Sequence, residues 1–575
     1  MEELSDEEWE VAKNAICEAV NHLVAFRKQE GAALQKKFTE KVDNIQTLLA
    51  SIEPYEKARV EKIRLNIVNG LQQIPNVDYD KNRLEQRKTI CSLLSHNFPI
   101  LCILLFVLYS PCTIFVLSLH VKMNAMQWQQ LISSQRLGKE NTPRPLEERR
   151  TEFQRDYDRL IFSAAFRRMQ NKTQVFPLPG SIFVHNRLTH SLEVASVGRS
   201  LGTDVSRELI AFHPELEATE LPAIGAVVSA ACLAHDMGNP PFGHSGERAI
   251  RTFFSEGPGR ELHQLVSPEG ERLTQAEWND MTRFDGNANT FRLLTHHFKG
   301  RRRGGFVMTY ATLASIVKYP YASDGARQKP KFGFFEAERT TFEHIAQSLG
   351  LLSHRDEEGV MRYARHPLVY LVEAADDICY EIMDIEDAHK LRLLSDAETM
   401  ELFLAFFDAQ EAEQLRSRYA HDTDADDQIV YFRSCVINAL ERACVRIFVA
   451  HEEAILRGEF EGSLIDHLPP LLAKAYKHCA EVAATKIYRC HEVIDVDLAG
   501  YHIIYTLLEL ITQAVMAPEK AYSQLLLAQV PTQYEVHAAR EGDRLMAVLD
   551  YISGMTDVYA LDLYRKINGH SLPSV

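Results

Sequence analysis

The spacing of apolar and polar positions divides the chain into segments of different character. In residues 1–86, apolar residues recur every three or four positions among Glu, Lys and Gln, which predicts two long amphipathic helices. Residues 124–575 have almost entirely helical spacing, broken by turn clusters such as those at Gly238 and Gly304-Gly305. We therefore predict an all-α protein, with a large helical bundle that follows a helical hairpin.

Residues 87–123 differ from both neighbours. The stretch FPILCILLFVLYSPCTIFVLSL, residues 98–119, has no charged residue and the length of a membrane span. Pro111 would kink such a helix, which membrane helices tolerate. A membrane anchor is therefore one interpretation of this segment.

Composition narrows the class of protein. The chain has 575 residues, a net charge of -16 and 10 cysteines without a CxxC pair. This cysteine pattern is typical of a reducing compartment, not of a disulfide framework or a zinc ribbon. The acidic start MEELSDEEWE is no secretory signal. We expect a cytoplasmic protein, or a membrane-anchored one if residues 98–119 span a bilayer.

Four residues carry the strongest chemical signal. His190, the adjacent pair His235-Asp236, and Asp376 each lie in a stretch with helical spacing. Each alone would be an ordinary core histidine, helix cap or solvated carboxylate. Together, two imidazoles and two carboxylates suit a divalent ion such as Mn²⁺, Mg²⁺, Fe²⁺ or Co²⁺, and we predict a metal site.

The large unit resembles a known family through motifs that extend over nearly all of residues 124–575. In chain order they are AFRRMQNKTQVFP, HNRLTHSLEV, LAHDMGNPPFGHSGE, RFDGNANTFRLL, VKYPY, EAADDICYEIMDIEDA and SGMTDVYALDLYRKI. Together they resemble the bacterial deoxyguanosinetriphosphate triphosphohydrolases, a branch of the HD superfamily. Asp285 departs from the family, which usually has Glu there. The resemblance implies an HD core at about 185–385 and a helical C-terminal region at about 386–575.

The resemblance implies a reaction and its catalytic residues. The reaction is hydrolysis of a dNTP, with dGTP favoured, to a deoxynucleoside and inorganic triphosphate, by attack on the α-phosphorus. His190, His235, Asp236 and Asp376 would bind the metal, with Mn²⁺ or Mg²⁺ expected. His244 would be catalytic near the α-phosphate, and Glu247, one turn on, would orient it. A loop-stabilising histidine is the alternative role of His244.

Further positions match substrate-binding residues of the family. Arg187 precedes His190 by one turn and so lies on the same side of its helix, where it can bind phosphate. Lys318 and Tyr319 would contact the triphosphate. The remaining positions concern the sugar.

Tyr380 and Asp384 lie one and two turns beyond Asp376, on its face of the helix. The resemblance implies that Tyr380 packs under the sugar and excludes a 2′-hydroxyl, and that Asp384 accepts from the 3′-hydroxyl. Gln174 would also bind the 3′-hydroxyl. Ordinary helix packing and a solvated carboxylate are the alternative interpretation of Tyr380 and Asp384.

A basic run, Lys299 with Arg301, Arg302 and Arg303, has two interpretations. It is a solvated loop, or it recruits single-stranded DNA or an effector nucleotide, since some relatives have regulatory sites. Relatives also assemble as oligomers, so a homo-oligomer is expected.

The first segment resembles the C-terminal half of the YicC-like putative endoribonucleases. The matching residues are Arg27, Glu30, Gly31, Leu34, Asp43, Asn44, Ile45, Asp80, Arg83, Leu84, Glu85 and Gln86. The YicC-like pattern stops after Gln86, and the pattern of the large unit begins near Met126. We therefore favour a junction of two fused coding sequences over a membrane anchor at residues 98–119, with Met123 or Met126 as a natural start. The alternatives are an HD phosphohydrolase that acts on another nucleotide, and a membrane-tethered or RNA-linked protein that acts through its N-terminal segment.

Overall fold

Helices dominate the computed structural model. It describes residues 125–140, 150–177, 184–327, 329–419 and 424–570. The hairpin predicted for residues 1–86 and the apolar stretch of residues 98–119 lie outside the described residues. Within those ranges the only strands are β1 (Ser353–Arg355) and β2 (Met361–Tyr363), an antiparallel pair with Ser353 opposite Tyr363. The prediction of an all-α fold is confirmed.

Twenty α-helices are present in the described ranges. They are α1 (Trp128–Leu131), α2 (Glu152–Ile161), α3 (Ala164–Arg168), α4 (Arg187–Phe212), α5 (Ile224–Ala234), α6 (Gly243–Ser255), α7 (Gln275–Thr282), α8 (Gly286–Thr295), α9 (Tyr310–Ile316), α10 (Arg339–Leu349), α11 (Val369–Lys390), α12 (Asp396–Leu404), α13 (Ala409–Tyr419), α14 (Ala425–Ala450), α15 (Glu452–Leu456), α16 (Pro470–Val482), α17 (His491–Met516), α18 (Ala521–Leu527), α19 (Glu541–Ser553) and α20 (Asp557–Ile567). Short 3-10 helices join several of them, and a π-helical turn at Ala483–Ile487 follows α16.

A polar cap fixes the start of α4, the helix that carries Arg187 and His190. The Asn186 side chain accepts hydrogen bonds from the backbone N–H groups of Leu188 and Thr189, and the Thr189 hydroxyl accepts from the Asn186 N–H. Such a capping box satisfies donors that the first helical turn leaves free. The cap therefore determines where the first turn of α4 presents its side chains.

Glycines allow α4 and α5 to cross at close range. A Cβ atom added to Gly202 would lie 2.9 Å from the Cα of Gly225, and one on Gly198 would lie 2.5 Å from the Cys232 sulfur. Only residues without a side chain permit this approach. The crossing places the C-terminal end of α5, where His235 lies, beside the first turns of α4.

Two hydrophobic cores meet at the site. The first is built around α4, α5, α11 and α14, with Leu201 and Ile378 among its fully buried side chains. The second is built around α6, α17 and α19, with Phe253 and Leu507 inside it. The predicted metal ligands belong to elements of the first core, whereas His244 and Glu247 lie on α6 in the second. The two cores thus supply different groups to one site.

Helix α17 is the one helix in the described ranges that is long and apolar enough to span a membrane. Half of its most apolar stretch is buried inside the protein. Ile504, Leu507 and Ile511 on that face are fully buried in the second core. In this structure α17 is a core helix.

Substitution of Gly202 by Ala is expected to destabilise the fold by about 1–3 kcal/mol, because the added methyl group meets the α5 backbone in a packed interior. At an exposed helical position the same change would stabilise by up to about 1 kcal/mol. Urea unfolding followed by circular dichroism measures the difference. Ser200→Ala, on the exposed face of the same helix, is the control and should change stability little. A Gly202→Ala protein as stable as the unmutated one would contradict the close crossing.

Candidate metal centre and nucleotide site

Three predicted metal ligands from three elements converge on one point. Their ligand atoms, on His190, His235 and Asp376, lie within 4.8 Å of one another. Asp376 Oδ1 is 3.0 Å from His190 Nε2 and 3.3 Å from His235 Nε2. Helix α4 supplies His190, His235 follows α5, and α11 supplies Asp376. Two imidazole nitrogens and a carboxylate oxygen so arranged fit a divalent transition ion.

The surroundings of His235 favour its use as a ligand. Its Nδ1–H donates to the Cys232 carbonyl at 2.6 Å, which fixes the ring and leaves Nε2 facing the other two residues. Nε2 is buried and makes no hydrogen bond of good geometry to any described residue. A buried nitrogen of this kind is normally satisfied, and a metal ion would satisfy it.

Asp236, the fourth predicted ligand, lies beside these three residues. Its Oδ1 is 3.8 Å from His235 Nε2. Arg187 Nη1 donates to its Oδ2 at 2.5 Å, and the Asn239 side-chain amide donates to its Oδ1. Burial opposes ionisation of Asp236, but the Arg187 guanidinium outweighs it and lowers the pKa of the carboxyl. Asp236 is therefore an ionised carboxylate at the edge of the cluster.

The charges of the cluster are mutually dependent. Burial opposes protonation of His235, but the nearby Asp376 and Asp236 carboxylates raise its pKa to about 9. Burial also opposes ionisation of Asp376, and the two histidines lower its pKa well below the usual range. Positive charge beside Asp376 thus stabilises the negative charge of its carboxylate. A bound cation would stabilise that negative charge in the same way.

His244 and Glu247 form a second pair, in the first turn of α6. His244 Nδ1 lies 3.1 Å from Glu247 Oε2; the histidine side chain is 76% exposed and the glutamate side chain 2%. The Gly286 N–H donates to Glu247 Oε1 at 2.7 Å, and Lys331 Nζ is 3.8 Å from its Oε2. Burial alone would raise the pKa of Glu247, but the His244 hydrogen bond and the Lys331 charge lower it to about 2. An anchored carboxylate therefore holds an accessible imidazole.

The turn that leads into α6 is unusually tight. Phe242 has a left-handed backbone with φ of 58°, and Gly243 follows with φ of 54°. A Cβ atom on Gly243 would lie 2.5 Å from Arg187 Nη2. The loop of the second core therefore packs directly on the arginine that binds Asp236.

The residues predicted to contact phosphate differ in how they are paired in the structure. Lys318 Nζ forms an ion pair with Glu373 Oε1 at 2.9 Å and lies 5.9 Å from the centre of the Tyr319 ring. Burial lowers the pKa of Lys318, but the Glu373 charge outweighs it, so the pKa is raised. Arg187 keeps its buried Nε without a hydrogen-bond partner in the described chain. Lys318 is therefore a cation near the site, and it is paired with Glu373, which lies one turn before Asp376 on α11.

The predicted sugar-binding residues extend from the metal cluster along α11. The Tyr380 ring lies edge-on to His190 with centroids 6.4 Å apart, and close to the Tyr488 ring at 6.1 Å. Tyr488 donates its hydroxyl to Asp384 Oδ2 at 2.8 Å. Burial raises the pKa of the Asp384 carboxyl well above its usual range. Gln174 is half-buried, and its Oε1 has no hydrogen-bond partner among the described residues.

Sequence reasoning missed three residues of this site. Asn239 holds Asp236, Lys331 faces Glu247, and Tyr488 binds Asp384. Asn239 lies in the quoted motif LAHDMGNPPFGHSGE, which contained the signal. Tyr488 follows Asp384 by 104 residues, and nothing in its local sequence marks it.

Comparison with known proteins gives the class of this fold and site. The HD domain family matches residues 187–303, and the phosphohydrolase-associated domain family matches residues 467–566. The first match contains His190, His235 and Asp236. The chain is thus an HD-domain protein with an associated C-terminal region.

Relatives that are matched over nearly their whole length specify the family. The deoxyguanosinetriphosphate triphosphohydrolase-like protein of Synechocystis is 36% identical over 463 residues, which cover 78% of this chain and 100% of the relative. That of Pseudomonas aeruginosa strain LESB58 is 37% identical with the same coverage. The deoxyguanosinetriphosphate triphosphohydrolase of Yersinia enterocolitica is 29% identical over 512 residues, covering 77% of this chain and 99% of the relative. The chain belongs to the deoxyguanosinetriphosphate triphosphohydrolase-like family, so the resemblance predicted for the large unit is confirmed, as is the prediction of an HD-type hydrolase.

Replacement of Asp376 by Ala is expected to weaken binding of Mn²⁺ by more than about 10-fold, the loss that even outer-shell partners of a metal cause. The reason is that Asp376 is the charged group between the two imidazoles. Isothermal titration calorimetry measures the affinity. Asp204→Ala, which removes an exposed carboxylate of α4 paired only with nearby Arg207 in the structure, is the control. Unmutated affinity in the Asp376→Ala protein would contradict the metal site.

Proposed function

We propose that the protein hydrolyses deoxynucleoside triphosphates to a deoxynucleoside and inorganic triphosphate. The observation that carries this proposal is the juxtaposition on one helix, α11, of Asp376 in the metal cluster with Tyr380 and Asp384. A nucleotide whose α-phosphate lies at the cluster would place its sugar along the next turns of that helix. The names of the relatives support the same reaction, and they support dGTP as the preferred substrate.

We propose that His190, His235, Asp236 and Asp376 hold a divalent ion, Mn²⁺ or Mg²⁺ before Fe²⁺ or Co²⁺. Such an ion supplies Lewis acidity: it neutralises phosphate oxygens and lowers the pKa of water. Asp236 would turn from Arg187 toward the ion. Arg187, released from that ion pair, would then offer its guanidinium to the phosphate oxygens, for which its planar fork is suited.

His244 is the proposed proton-transfer residue. Its exposed imidazole can reach a substrate, and Glu247 holds Nδ1, so that Nε2 faces outward. An imidazole transfers protons near neutral pH, and the 5′ oxygen of the leaving deoxynucleoside must receive a proton. Glu247 stays ionised because Lys331 and the Gly286 N–H compensate its charge. Glu247 therefore keeps its charge and holds the imidazole in one orientation while His244 transfers the proton.

The remaining phosphates would be bound by Lys318 and Tyr319. Lys318 is held by Glu373 at 2.9 Å, so a triphosphate would compete with this carboxylate for the ammonium group. A triphosphate carries more charge than one carboxylate, which favours the exchange. The Glu373 carboxylate thereby keeps Lys318 protonated beside the site.

The sugar would lie on Tyr380. The centre of this ring lies 6.4 Å from that of His190 and 6.1 Å from that of Tyr488, and these contacts oppose a movement of the ring that would admit a 2′-hydroxyl. Asp384 would accept from the 3′-hydroxyl, and the unpartnered Oε1 of Gln174 would accept there also. These contacts support discrimination of deoxyribose from ribose.

Product analysis separates this proposal from its alternative, an HD phosphohydrolase acting on another nucleotide. The full chain would be incubated with each dNTP and Mn²⁺ or Mg²⁺, and the products separated by anion-exchange chromatography. One equivalent of inorganic triphosphate per deoxynucleoside is expected. Release of pyrophosphate or orthophosphate from intact dNTPs would overturn the proposal, and turnover of monophosphates alone would favour the alternative.

Partners and location follow as lesser proposals. Arg301, Arg302 and Arg303 are all exposed, which supports binding of an anionic effector, single-stranded DNA or a nucleotide, at this loop. A homo-oligomer stays a prediction. The cysteines in the described ranges are all unpaired thiols, which supports a reducing, cytoplasmic location.

The unmutated protein is expected to hydrolyse dGTP much faster than GTP, and Tyr380→Ala should reduce this preference by about 10-fold or more, since removal of the ring opens space beside C2′. Steady-state kcat/KM on both nucleotides measures it. Tyr522→Ala removes an exposed tyrosine of α18 (55% exposed) and serves as the control. Equal rates on dGTP and GTP in the unmutated protein would eliminate the steric argument.

A further inference from the structure

A buried carboxylate of the C-terminal region binds two separate segments of the active site. Asp557, at the start of α20, is 4% exposed. Its Oδ2 accepts from the Thr173 N–H at 2.7 Å, and its Oδ1 accepts from the Phe242 N–H at 2.9 Å. Thr173 immediately precedes Gln174, and Phe242 precedes His244 by two residues. One side chain therefore fixes the backbone on both approaches to the site.

A buried lysine makes a second bridge between the same regions. Lys172, 3% exposed, donates hydrogen bonds from its Nζ to the Asn239 carbonyl at 2.5 Å and to the Ser553 carbonyl at 2.9 Å. Asn239 in turn holds Asp236 through its side chain. The bridge thus runs from the end of α19 through Lys172 to the residue that orients a proposed metal ligand.

The segment from Asn239 to Phe242, which the two bridges hold, contains a backbone conformation that other parts of the protein must stabilise. Phe242 has a positive φ of 58°, a conformation that is costly for a residue with a bulky side chain. Its N–H is held by Asp557, and α17 packs on its ring so closely that a Cβ on Gly500 would lie 2.4 Å from Cγ of Phe242. Elements of the C-terminal region therefore hold Phe242 from two directions.

We propose that Asp557 and Lys172 are positioning residues. Through them the C-terminal region holds the segment around Gln174, and the turn that leads to His244, at fixed positions relative to the metal cluster. This inference rests on the proposed function for the roles of Gln174 and His244. The bridges themselves do not depend on it. Both Asp557 contacts are made to backbone N–H groups, so the carboxylate sets the position of the main chain and leaves the side chains of Gln174 and His244 free for substrate.

Hydrogen–deuterium exchange of the full-length chain tests the bridges without any substrate. The variant is Asp557→Asn, which keeps the shape of the side chain but turns an N–H₂ group toward one of the two donors. Exchange in peptides covering residues 171–177 and 238–246 is expected to be at least about 10-fold faster, since their hydrogen bonds open locally. A peptide from α14, residues 436–448, should exchange as before. Asp562→Asn, on the exposed face of the same helix, is the control.

Kinetics then tests what the bridges position. In Asp557→Asn, kcat for a dNTP should fall by about 10-fold or more, as expected when a reacting group is displaced. The preference for a dNTP over its 2′,3′-dideoxy analogue should also narrow, because the Gln174 segment no longer meets the 3′-hydroxyl. Mn²⁺ affinity should change little, since Asp557 touches none of the proposed ligands. A role limited to stability would lower the amount of active protein and leave the dideoxy preference unchanged.

Two results would overturn the proposal: unchanged exchange in both peptides, or faster exchange throughout the chain with an unchanged dideoxy preference. If Asp557→Asn fails to fold, Lys172→Met takes its place. Faster exchange is then expected in residues 238–246, and unchanged exchange there would overturn the proposal. Should the unmutated chain release no triphosphate, the proposed function fails, while the exchange experiment still decides whether the bridges exist.

Discussion

The site depends on one partly buried carboxylate, that of Asp376, placed between two imidazoles. Asp376 Oδ1 lies 3.0 Å from His190 Nε2 and 3.3 Å from His235 Nε2, and each residue comes from a different element. Removal of charged groups from water is costly unless they compensate one another. The three elements must therefore meet in one arrangement, and the glycine-lined crossing of α4 and α5 makes that arrangement possible.

The rest of the site extends this pattern of compensated charge. Arg187 neutralises Asp236, Lys331 neutralises Glu247, and Glu373 neutralises Lys318. In the proposed function, the phosphates would take Lys318 from Glu373, which would keep its second partner Arg365. Lys331 would stay beside Glu247. The pairing thus keeps these partly buried charged residues compensated and still available, which suits the binding and release of a highly charged molecule.

Part of the arrangement around Asp376 follows from local sequence, for a physical reason. Helical periodicity places Tyr380 and Asp384 on the face of Asp376, whereas His244 was predicted from the motif that carries the family resemblance, and the structure places it in the first turn of α6. The roles of all three residues stay predictions. Tyr488 and Lys331 could not be found in this way, since their contacts with Asp384 and Glu247 depend on packing between distant elements. The all-helical fold was evident from spacing, whereas the division into two cores was not, because periodicity gives the buried face of a helix but not its partner.

That division explains why a C-terminal region should belong to an active site. The metal cluster is built on the first core, while His244 and Glu247 lie on α6, which packs with α17 in the second. In the proposed function a reacting atom meets both sets at once, so the position of one core relative to the other would affect the rate of the reaction. Hydrophobic packing is not directional and cannot by itself define that position to within a hydrogen bond. Buried polar contacts such as those of Asp557 and Lys172 are directional, and they lie where the two cores meet.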